Sequence, residues 1–531
     1  MRHITIARTS HRATHMKIRI RECVYTGFGL LILILLSGCE RGPVELTIFH
    51  TNDIHAHYGR SEASWLPDNP LIGGFDALAE ELGKQRRSVE HSLLLDAGDI
   101  LSGTPVSDMI RNGVRGGNLI HMMNLLKYDA MCVGNHEFDL SVNNLYAMAR
   151  MAHFPILAAN LYDMNGNPFL GPGWTIVKRG PLRVGIIGLI TDSLYGVSSS
   201  EVANRIDVRV GIDVVDSLTK VLDPRCDLII LLSHSGYSAD RTMARKLGDR
   251  IDVIIGGHSH DRIDPPEVIN GVIVTQAGAK LRHLGRLDIQ VKDDEVIGHF
   301  GKIILLDGDK TLERFGNTLA PIVDSLDAVV TAAYGDTIGY STTDLYRSYF
   351  EESNIGNWVA DAVRVYTGAD VAFVNSGGLR ADFRRGPLTR RDIKELLPFD
   401  NSIAVFTCSG EQLTAIMRNN ALAAVQESHG ILQVSGIRCL YEAIEGDKIR
   451  IKSLQVDDED VEPDRIYECA TVDFVASSNP TKYLGFKPAH VYDYQLAIGE
   501  LAIRTLENTE RITSTIEGRF VQSENHRKDR S

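Results

Sequence analysis

The stretch Ala130-Met131-Cys132-Val133-Gly134-Asn135-His136-Glu137-Phe138-Asp139 decides the fold. Its first four residues are apolar and predict a buried strand, and Gly134 lets the backbone turn sharply where that strand ends. An amide, an imidazole and two carboxylates then follow within five positions. Groups of these kinds can bind a metal ion, carry a proton and orient the proton carrier. The stretch therefore predicts a reactive site at the carboxyl end of a strand.

Four other apolar runs in the first half of the chain end in the same way. The carboxyl ends of strands in an α/β sheet gather at one crevice, where ligands bind. Taken singly, each polar residue fits a helix cap, a turn or a buried core histidine, but five such tips together indicate one shared site. The runs and their polar residues are Leu46–Phe49 with Asp53 and His55, Leu93–Leu95 with Asp99, Leu228–Leu232 with His234, and Val253–Ile255 with His258 and His260.

The side chains at these tips form a set of candidate metal ligands. They offer oxygen and nitrogen atoms without a thiolate, which favours Mn, Zn, Fe or Co over a soft metal or calcium. Seven ligands are too many for one tetrahedral ion, but they suit two divalent metal ions that share a bridging carboxylate and assist phosphoryl transfer. The candidate ligands are Asp53, His55, Asp99, Asn135, His234, His258 and His260.

The chain as a whole divides into two or three domains, because 531 residues are too many for a single core. Strand-like runs alternate with helical patterns such as Asn118–Leu126 and Val142–Ala152, which predicts an α/β layer domain. A second α/β part contains the strand-like run Val371–Val374 and the helical pattern Gly410–Ala424. We expect a first domain over 44–310, a linker with the helix Leu319–Ala333 over 311–336, a second domain over 337–521 and a disordered polar tail over 522–531.

The amino-terminal segment has the pattern of a secretory signal. A basic lead precedes the apolar run Val24–Leu36, which is too short to span a bilayer comfortably. Leu36-Ser37-Gly38-Cys39 resembles the lipobox of bacterial lipoproteins, which implies a signal peptide over residues 1–38 and a lipid on Cys39. An ordinary cleaved signal with an accidental cysteine is the alternative.

The charge of the chain narrows the range of partners. The formal net charge is −13, and the part beyond the basic leader is more negative still. Such a charge disfavours a nucleic-acid polymer as partner, because its phosphates would be repelled. Small phosphorylated substrates stay open, since a few local cations can outweigh the distant field. The five cysteines beyond residue 39 do not form a disulfide scaffold; at most two bridges are possible, and their pairing is open.

The order of the strand-tip motifs carries a resemblance to a known family. The series Asp-x-His, Gly-Asp, Gly-Asn-His-Glu-x-Asp, His and Gly-His-x-His is similar to that of calcineurin-like metallophosphatases. Together with its second half, the chain resembles the bacterial and animal 5′-nucleotidase family, which includes the periplasmic UDP-sugar hydrolases. The resemblance covers nearly all of residues 44–521. It implies an α/β fold with an N-terminal four-layer α/β/β/α metallophosphatase sandwich and a smaller C-terminal α/β substrate-binding domain.

The resemblance also implies a role for the residues of the metal site. His136 would stabilise charge on the phosphoryl group and act as acid for the leaving group, with Asp139 accepting its other N–H. From the residues alone, Asp139 fits a cap of the following helix equally well. Glu137 receives no role and is expected to face solvent. One ion would be held by Asp53, His55, Asp99 and His260, and the other by Asp99, Asn135, His234 and His258.

The second half contributes the expected substrate contacts. The stretch Val374–Arg380 predicts a strand that ends in small residues and presents an arginine able to hold phosphate oxygens. The resemblance implies a clamp of two phenylalanine rings around the nucleobase, although core packing is the ordinary role of each ring. The expected substrate-binding residues are Asn375, Gly378, Arg380, Phe399 and Phe474.

Two features depart from the family pattern. After Phe474 the family carries a Gly-Gly-Asp-Gly loop whose aspartate contacts ribose, whereas this chain has Val475–Lys482 without an aspartate. Ahead of Gly356-Asn357 the family has paired arginines, and here Arg347 is the candidate for one of them. These departures concern the choice of nucleotide and leave the metal site intact.

We therefore expect a dinuclear-metal phosphoesterase that hydrolyses nucleoside 5′-monophosphates, and other nucleotides in addition, to nucleoside and phosphate. The alternatives within this chemistry are a UDP-sugar hydrolase and a 2′,3′-cyclic-nucleotide phosphodiesterase. A thiosulfohydrolase-like enzyme is less favoured because of the two phenylalanine matches, and the intact ligand series disfavours a non-catalytic surface receptor. The expected location is the bacterial cell envelope, with the enzyme anchored to the membrane by lipid on the periplasmic or extracellular side.

Overall fold

The structure, a computed structural model, describes residues 42–63, 65–307, 318–444 and 448–523. The expected signal peptide, Cys39 and most of the expected polar tail lie outside these residues. Across the described ranges, no helix is both long enough and apolar enough to cross a bilayer.

The first half of the chain folds into two large sheets with helices between many of the strands. Parallel strands need crossover connections, and these helices supply them. The helices are α1 Gly74–Arg86, α2 Gly117–Leu126, α3 Val142–Met151, α4 Ser200–Arg205, α5 Gly211–Leu222, α6 Tyr237–Leu247 and α7 Ala320–Tyr334. The strands are β1 Val44–Thr51, β2 Ser61–Glu62, β3 Leu71–Ile72, β4 Ser92–Asp96, β5 Ile110–Arg111, β6 Val114–Arg115, β7 Ala130–Cys132, β8 Ile156–Leu157, β9 Leu161–Asp163, β10 Trp174–Arg179, β11 Leu182–Ile190, β12 Ile206–Val208, β13 Leu228–His234, β14 Val253–Gly256, β15 Glu267–Ile269, β16 Val272–Thr275, β17 His283–Lys292 and β18 Glu295–Leu305.

The topology of the two sheets places the strand tips together. The first sheet has the strand order β18-β17-β1-β4-β7-β8, and the second has the order β10-β11-β13-β14-β16-β15. Strands β1, β4, β7 and β8 run parallel to one another, as do β11, β13, β14 and β16. The carboxyl ends of the parallel strands therefore lie along one edge of each sheet.

Alternation along the strands shows how the sheets are stacked. Leu46 and Ile48 of β1 belong to the same apolar cluster as Leu228 and Ile230 of β13, so this cluster fills the space between the sheets. Phe49 of β1 belongs instead to the cluster formed with helices α1, α2 and α3. The outer face of the second sheet packs on α5 and α6. The layers are thus helix, sheet, sheet and helix, which confirms the fold expected from the resemblance.

The helix expected in the linker is α7, and it packs against the first domain. Its residues Val323, Leu326 and Val330 lie in the apolar cluster on the helical face of the first sheet. Tyr58 donates a hydrogen bond from its hydroxyl to Asp327 at 3.0 Å. Most of this connection is therefore a packed element of the first domain rather than a free spacer.

The second half is a smaller α/β unit built on a five-stranded sheet with the order β23-β20-β27-β22-β28. The longest helix, α10, begins at a capping box, in which Ser409 Oγ accepts the N–H of Gln412 and the Gln412 side chain accepts the N–H of Ser409. The helices are α8 Asn354–Thr367, α9 Arg390–Leu396, α10 Gly410–Gln426, α11 Pro480–Leu484 and α12 Ile498–Thr509. The strands are β19 Thr337–Ser341, β20 Val371–Asn375, β21 Gly386–Thr389, β22 Ser402–Ser409, β23 Leu432–Ser435, β24 Ile437–Ile444, β25 Lys448–Val456, β26 Glu459–Asp460, β27 Ile466–Val472, β28 Tyr492–Ala497, β29 Arg511–Ile512 and β30 Phe520–Gln522.

The predicted elements are confirmed, with small shifts at their ends. The run Leu46–Phe49 lies within β1, the pattern Val142–Ala152 matches α3, and the pattern Gly410–Ala424 matches α10. The antiparallel hairpin β17–β18 has no counterpart in the sequence prediction. Most of β17 alternates buried and half-buried residues, and β18 is mostly half-buried or exposed, so neither strand is a continuous buried run.

Cysteine does not cross-link the part of the chain that the structure describes, where all five cysteines are free and buried. Cys408 and Cys469 come closest, with their Sγ atoms 3.5 Å apart on the neighbouring strands β22 and β27. Burial raises the pKa of Cys439 to about 12, which keeps this thiol protonated and unreactive. The antiparallel backbone pairing of β22 with β27 holds these two strands together.

Candidate active site

The candidate ligands meet where five parallel strands end. His234 is the last residue of its own strand, and the others follow the strand by a few positions. The strands and their ligands are β1 with Asp53 and His55, β4 with Asp99, β7 with Asn135, β13 with His234, and β14 with His258 and His260.

The first cluster consists of Asp53, His55 and His260, whose ligand atoms all lie within 4.8 Å of one another. His55 Nε2 and His260 Nε2 are 3.0 Å apart. Asp53 Oδ1 lies 3.3 Å from His260 Nε2 and 3.9 Å from His55 Nε2. Asp53 and His55 are buried, while His260 is exposed at the mouth of the site. Three atoms that converge in this way can hold a divalent cation.

The second cluster consists of Asp99, His234 and His258, again within 4.8 Å. Asp99 Oδ2 lies 3.1 Å from His234 Nε2, and the rings of His234 and His258 meet edge to face with centroids 5.2 Å apart. Asp99 also converges with His55 and His136 in a third group. Asp99 therefore stands between the two clusters, where a bridging ligand would stand.

Two histidines are turned so that Nε2 is the ring nitrogen able to bind a metal. His234 Nδ1 lies 2.7 Å from the carbonyl oxygen of Ala97 and donates to it, so Nε2 faces Asp99 and offers a lone pair once this nitrogen is deprotonated. His55 Nδ1 lies 3.0 Å from the carbonyl oxygen of Ser102, and the lowered pKa of His55 leaves its Nε2 unprotonated. Within the described residues, the buried Nε2 of His234 has no hydrogen-bond partner. A cation between these lone pairs would satisfy them.

Asn135 lies between Gly134 and His136, whose backbones both approach Asp99. Its Oδ1 is buried and has no hydrogen-bond partner in the described part of the chain. Gly134 allows the close approach, because a Cβ at this position would stand 2.2 Å from Asp99 Oδ1. The backbone N–H of His136 donates to the same Asp99 oxygen at 2.8 Å. A buried acceptor without a partner on this segment is the kind of atom that a cation would satisfy.

Backbone strain is concentrated at the candidate ligands. A left-handed backbone costs a non-glycine residue roughly 1–3 kcal/mol and persists where the surrounding structure enforces it. Its occurrence at most of the ligands indicates that the tips are bent so as to aim the side chains at common points. The ligands with φ between 49° and 75° are Asp53, His55, Asp99, His258 and His260.

His136 lies beside both clusters and is oriented by Asp139. Its Nδ1 is 2.6 Å from Asp139 Oδ2, and its Nε2 is 3.8 Å from Asp99 Oδ2. The following helix, α3, is capped by Ser141, whose side chain accepts the N–H of Asn144. Asp139 is therefore free of the capping role that the residues alone left open, and it bonds His136 instead.

The charges of the site act on its titratable groups. Burial raises the pKa of Asp99, but the surrounding histidines outweigh burial and hold this pKa well below its ordinary value. Burial lowers the pKa of His55 far below its ordinary value, and the charges of His260 and Arg380 act in the same direction. For His136, burial lowers the pKa, but the Asp139 and Asp99 carboxylates outweigh it and raise the pKa overall. Asp99 is thus ionised and His55 neutral, the forms in which each binds a cation.

The second domain places Arg380 and Phe399 beside the two ligand clusters. Arg380 Nη2 lies 3.4 Å from His55 Nε2, and the Arg380 guanidinium is 6.0 Å from the centre of the Phe399 ring. The Phe399 ring stacks on His136, with centroids 5.4 Å apart and planes 14° apart. Lys280 of the first domain donates from Nζ to the Arg380 carbonyl at 3.2 Å. These contacts bring the two domains together over the site.

The other candidate substrate residues lie close to Phe399 or near Tyr483. Asn375 ends β20, Gly378 closes the turn after it, and both line one small cavity together with Phe399. Phe474 is half-buried and contacts Tyr483, with ring centroids 6.0 Å apart. Phe399 therefore lies beside the ligand clusters, against His136, whereas Phe474 packs against Tyr483.

The segment after Phe474, which departs from the family pattern, contacts the first domain. Phe474–Ser478 forms a π-helical turn, and α11 follows it. Lys482 donates from Nζ to the carbonyl of Gly196 at 2.7 Å, and Asn479 Nδ2 lies 3.5 Å from the carbonyl oxygen of Ser198. This segment is therefore part of the contact between the domains.

Three residues at the site receive no role in the sequence prediction. The expectation that Glu137 faces solvent is wrong, because Glu137 is fully buried and accepts backbone hydrogen bonds. Asn52 donates to Asp53 Oδ2 at 2.6 Å and so orients the first ligand. The backbone N–H of Lys280 donates to the Asp53 carbonyl at 2.7 Å. Glu137 and Asn52 adjoin predicted ligands, which was the available signal, but most of their partners lie far along the chain.

Comparison with known families matches both halves of the chain. Residues 46–262 match the calcineurin-like phosphoesterase family, and residues 330–483 match the 5′-nucleotidase C-terminal domain. The first range contains every candidate metal ligand, and the second contains every candidate substrate residue.

Individual relatives are similar across both domains. The chain is 31% identical to the snake venom 5′-nucleotidase of Naja atra over 464 residues, which cover 78% of this chain and 85% of that protein. It is 27% identical to the protein UshA of Escherichia coli over 487 residues, which cover 82% of this chain and 85% of that protein. The crystal structure of the 5′-nucleotidase precursor of Thermus thermophilus has 26% identity and a TM-score of 0.80, and the match covers 91% of this chain and 100% of that one.

Proposed function

The chain belongs to the 5′-nucleotidase family, and on this premise we propose that it hydrolyses nucleoside 5′-monophosphates to nucleoside and phosphate. It is an enzyme of the metal-dependent phosphoester hydrolase class. The observation that carries the proposal is the pair of ligand clusters, with Asp99 of the second converging also on His55 of the first, and with Arg380 reaching His55.

We propose two divalent ions rather than one. Asp99 converges with histidines of both clusters, and a shared carboxylate is the usual link between two ions. The mixed oxygen and nitrogen donors suit Mn, Zn, Fe or Co. Asp53, His55, Asp99 and His260 would hold one ion, and Asp99, Asn135, His234 and His258 would hold the other.

The side chains around the ions carry the proton transfer in this proposal. When bound, divalent ions supply an activated water and neutralise charge on the phosphoryl oxygens. His136 holds a proton on Nε2 and gives it to the leaving ribose oxygen. Asp139 accepts the Nδ1–H of His136, which keeps the ring in this orientation. Phe399 covers one face of the imidazole and excludes water there.

The second domain is proposed to bind the nucleotide. Arg380 presents a planar guanidinium that can hold two phosphate oxygens at once, and its position beside His55 supports this role. One face of Phe399 lies against His136, so a nucleobase would take the opposite face. Asn375 and Gly378 line the cavity next to that ring, and Phe474 is proposed as the second ring of the clamp.

Other phosphate esters have weaker support as the principal substrate. Two of the relatives described above are themselves named 5′-nucleotidases. Lys482 and Asn479 contact the first domain, so they do not replace the ribose-contacting aspartate in this arrangement. Sugar recognition would then rest on stacking and on Asn375.

We further propose that the enzyme works outside the cytoplasm, anchored to the membrane of the cell envelope by a lipid on Cys39. The lipobox-like sequence ahead of Cys39 supports this location. Cys39→Ala should move the protein from the membrane fraction to the soluble fraction of a cell extract. Equal partitioning of the two forms would contradict the anchor.

Phosphate release from AMP tests the proposed activity. The purified enzyme is assayed with and without added Mn²⁺, with UDP-glucose and a 2′,3′-cyclic nucleotide as competing substrates. We expect AMP to be hydrolysed fastest, and only with metal. A faster reaction with either competitor would move the assignment to that substrate class. Absence of turnover with all three would refute the nucleotidase proposal.

A further inference from the structure

Glu137 lies inside the site without being a ligand. It is fully buried, and it belongs to none of the groups of described residues whose ligand atoms converge. Its carboxylate instead accepts four backbone hydrogen bonds, from the N–H groups of Asp99 at 2.9 Å, Ile100 at 2.8 Å, Leu101 at 3.3 Å and Gly134 at 2.7 Å.

Four donors saturate this carboxylate. An ionised carboxylate has about four lone-pair sites and no donor, and hydrogen bonds to a charged acceptor are roughly twice as strong as neutral ones. Asp99 and Gly134 bond to Oε2, while Ile100 and Leu101 bond to Oε1. Glutamine has one acceptor end and one donor end, so it would turn an NH₂ group against backbone N–H groups on one side.

The bonded N–H groups belong to two strand tips that carry ligands. Asp99 is the shared ligand at the tip of β4, and its φ of 60° follows a φ of 88° at Gly98. Gly134 directly precedes the ligand Asn135 at the tip of β7. Glu137 therefore clamps the two tips together beside the second cluster, and it stabilises the strained backbone at Asp99.

The same segment supports the first cluster. The carbonyl of Gly98 accepts the N–H of Asp53 at 2.9 Å, and the carbonyl of Asp99 accepts the N–H of His55 at 3.0 Å. The tip of β1 thus rests on the segment that Glu137 holds. A shift of that segment would move ligands of both clusters at once.

We infer that Glu137 is a positioning residue that sets the separation of the two metal positions, an inference that rests on the proposed two-metal function. It fixes Asp99 relative to Asn135 directly, and relative to Asp53 and His55 through the backbone of the β4 tip. It touches neither ion nor substrate itself.

Glu137→Gln tests the inference, with Glu352→Gln as a matched control. Glu352 is a carboxylate of the second domain that accepts the N–H groups of Glu517 and Arg519, both at 2.8 Å. Both variants lose backbone hydrogen bonds, so both should unfold at a lower temperature. Only Glu137→Gln should weaken Mn²⁺ binding to the metal-free protein, by about 10- to 100-fold in isothermal titration calorimetry.

Electron paramagnetic resonance of the Mn²⁺-loaded protein adds a readout that a general loss of stability would not move. Spin coupling between two Mn²⁺ ions depends on their separation, so Glu137→Gln should change the coupled spectrum while Glu352→Gln keeps it. The KM for AMP should stay unchanged in Glu352→Gln, which alters neither the ligand clusters nor Arg380 and Phe399. Wild-type Mn²⁺ affinity together with an unchanged coupled spectrum in Glu137→Gln would overturn the inference.

Glu137→Asp decides the matter if the glutamine variant does not fold. It keeps the charge but withdraws the carboxylate by one methylene, so a smaller loss of Mn²⁺ affinity is expected, and wild-type affinity would overturn the inference. Failure of the proposed function looks different. In that case the wild-type protein would bind two Mn²⁺ ions with a coupled spectrum and yet release no phosphate from AMP.

Discussion

Three contacts of different kinds fix the position of His136. Asp139 bonds its Nδ1, Phe399 stacks on one ring face, and Asp99 accepts its backbone N–H. The residue is therefore held by a carboxylate, by an aromatic ring and by a backbone hydrogen bond. Its Nε2 is left pointing into the region between the clusters, 3.8 Å from Asp99 Oδ2. A proton on Nε2 is thus presented where a leaving group would stand.

His136→Ala should keep both metal ions and lose most turnover. The ring is placed to transfer a proton, and positioned acid–base groups contribute about 10²- to 10⁴-fold to rate. Measurement of kcat and of metal content on the same preparation checks this. His153→Ala, at an exposed histidine, serves as control and should match the wild type. Loss of metal from His136→Ala would make His136 a ligand and overturn its assignment as acid.

Asp99→Ala should lose metal, because Asp99 stands between both clusters. Removal of an outer-shell partner costs about 10- to 100-fold in affinity, so removal of the shared ligand should exceed this. Asp68→Ala is a matched control, since Asp68 is exposed and also has a left-handed backbone, with φ of 63°. Alanine at position 68 adopts the same unfavourable left-handed backbone as alanine at position 99, but no candidate ligand is removed. Wild-type metal content in Asp99→Ala would rule out the bridge.

At the scale of elements, the strand tips depend on the helices packed behind them. Helix α6 follows β13 and places Asp240 beneath the sheet, where it accepts a hydrogen bond from Ser233 Oγ. Within the described residues, the other Asp240 oxygen is buried without a partner. Such a carboxyl is best accommodated in its neutral form. A neutral, protonated Asp240 on α6 therefore bonds to β13 through Ser233, in addition to the apolar contacts between the helix and the strand.

Asp240→Asn should flatten the pH dependence of stability. Burial raises the pKa of Asp240 to about 7, so the folded protein keeps a proton that the unfolded chain releases above about pH 4. The resulting stabilisation is fully present below about pH 4 and is lost as the pH rises to about 7, at about 1.4 kcal/mol per pH unit. Asparagine does not titrate, so the free energy of unfolding of the variant should fall less between about pH 5 and about pH 7.

Urea denaturation of the metal-free protein at both pH values measures this difference. Asp213→Asn, at an exposed position of α5, should behave as the wild type does. Parallel changes in Asp240→Asn and in the wild type would show that Asp240 is ionised in the folded protein.

Elements were more readily predicted than contacts. The runs at Leu46–Phe49 and Val253–Ile255 gave their strands because buried parallel strands are continuous apolar runs. Glu137 was misplaced because its four donors come from residues 3 to 38 positions earlier in the chain, which no local pattern reveals. The contact of Lys482 with Gly196 could not be predicted either, because it depends on how the two domains are placed relative to each other.

At the scale of the whole molecule, a few polar contacts join the two halves near the site. Lys280 bonds the Arg380 carbonyl, Arg391 pairs with Asp327 at 3.2 Å, and Lys482 bonds the Gly196 carbonyl. Any rotation of the second domain would have to break these contacts. Because α7 is packed into the first domain, we expect the hinge to follow Tyr334, ahead of β19.

Lys482→Met should shift the molecule toward a more open arrangement. The variant loses the hydrogen bond to Gly196, worth about 1 kcal/mol, which corresponds to roughly a 5-fold change in the population of the closed form. Small-angle X-ray scattering should then report a larger radius of gyration. Lys487→Met, at an exposed position just beyond α11, is the control. Identical scattering from the variant and the wild type would show that this bond does not hold the domains together.

The left-handed backbone at five ligand positions also limits how the site can change over generations. Bulky or β-branched residues fit such a backbone poorly, whereas Asn, Asp, His and Gly adopt it more readily. A viable mutation at these positions therefore tends either to exchange an oxygen for a nitrogen or to delete a ligand with glycine. Metal preference can drift by small steps through such exchanges. Conversion to a thiolate site would require the strand tips to be rebuilt first.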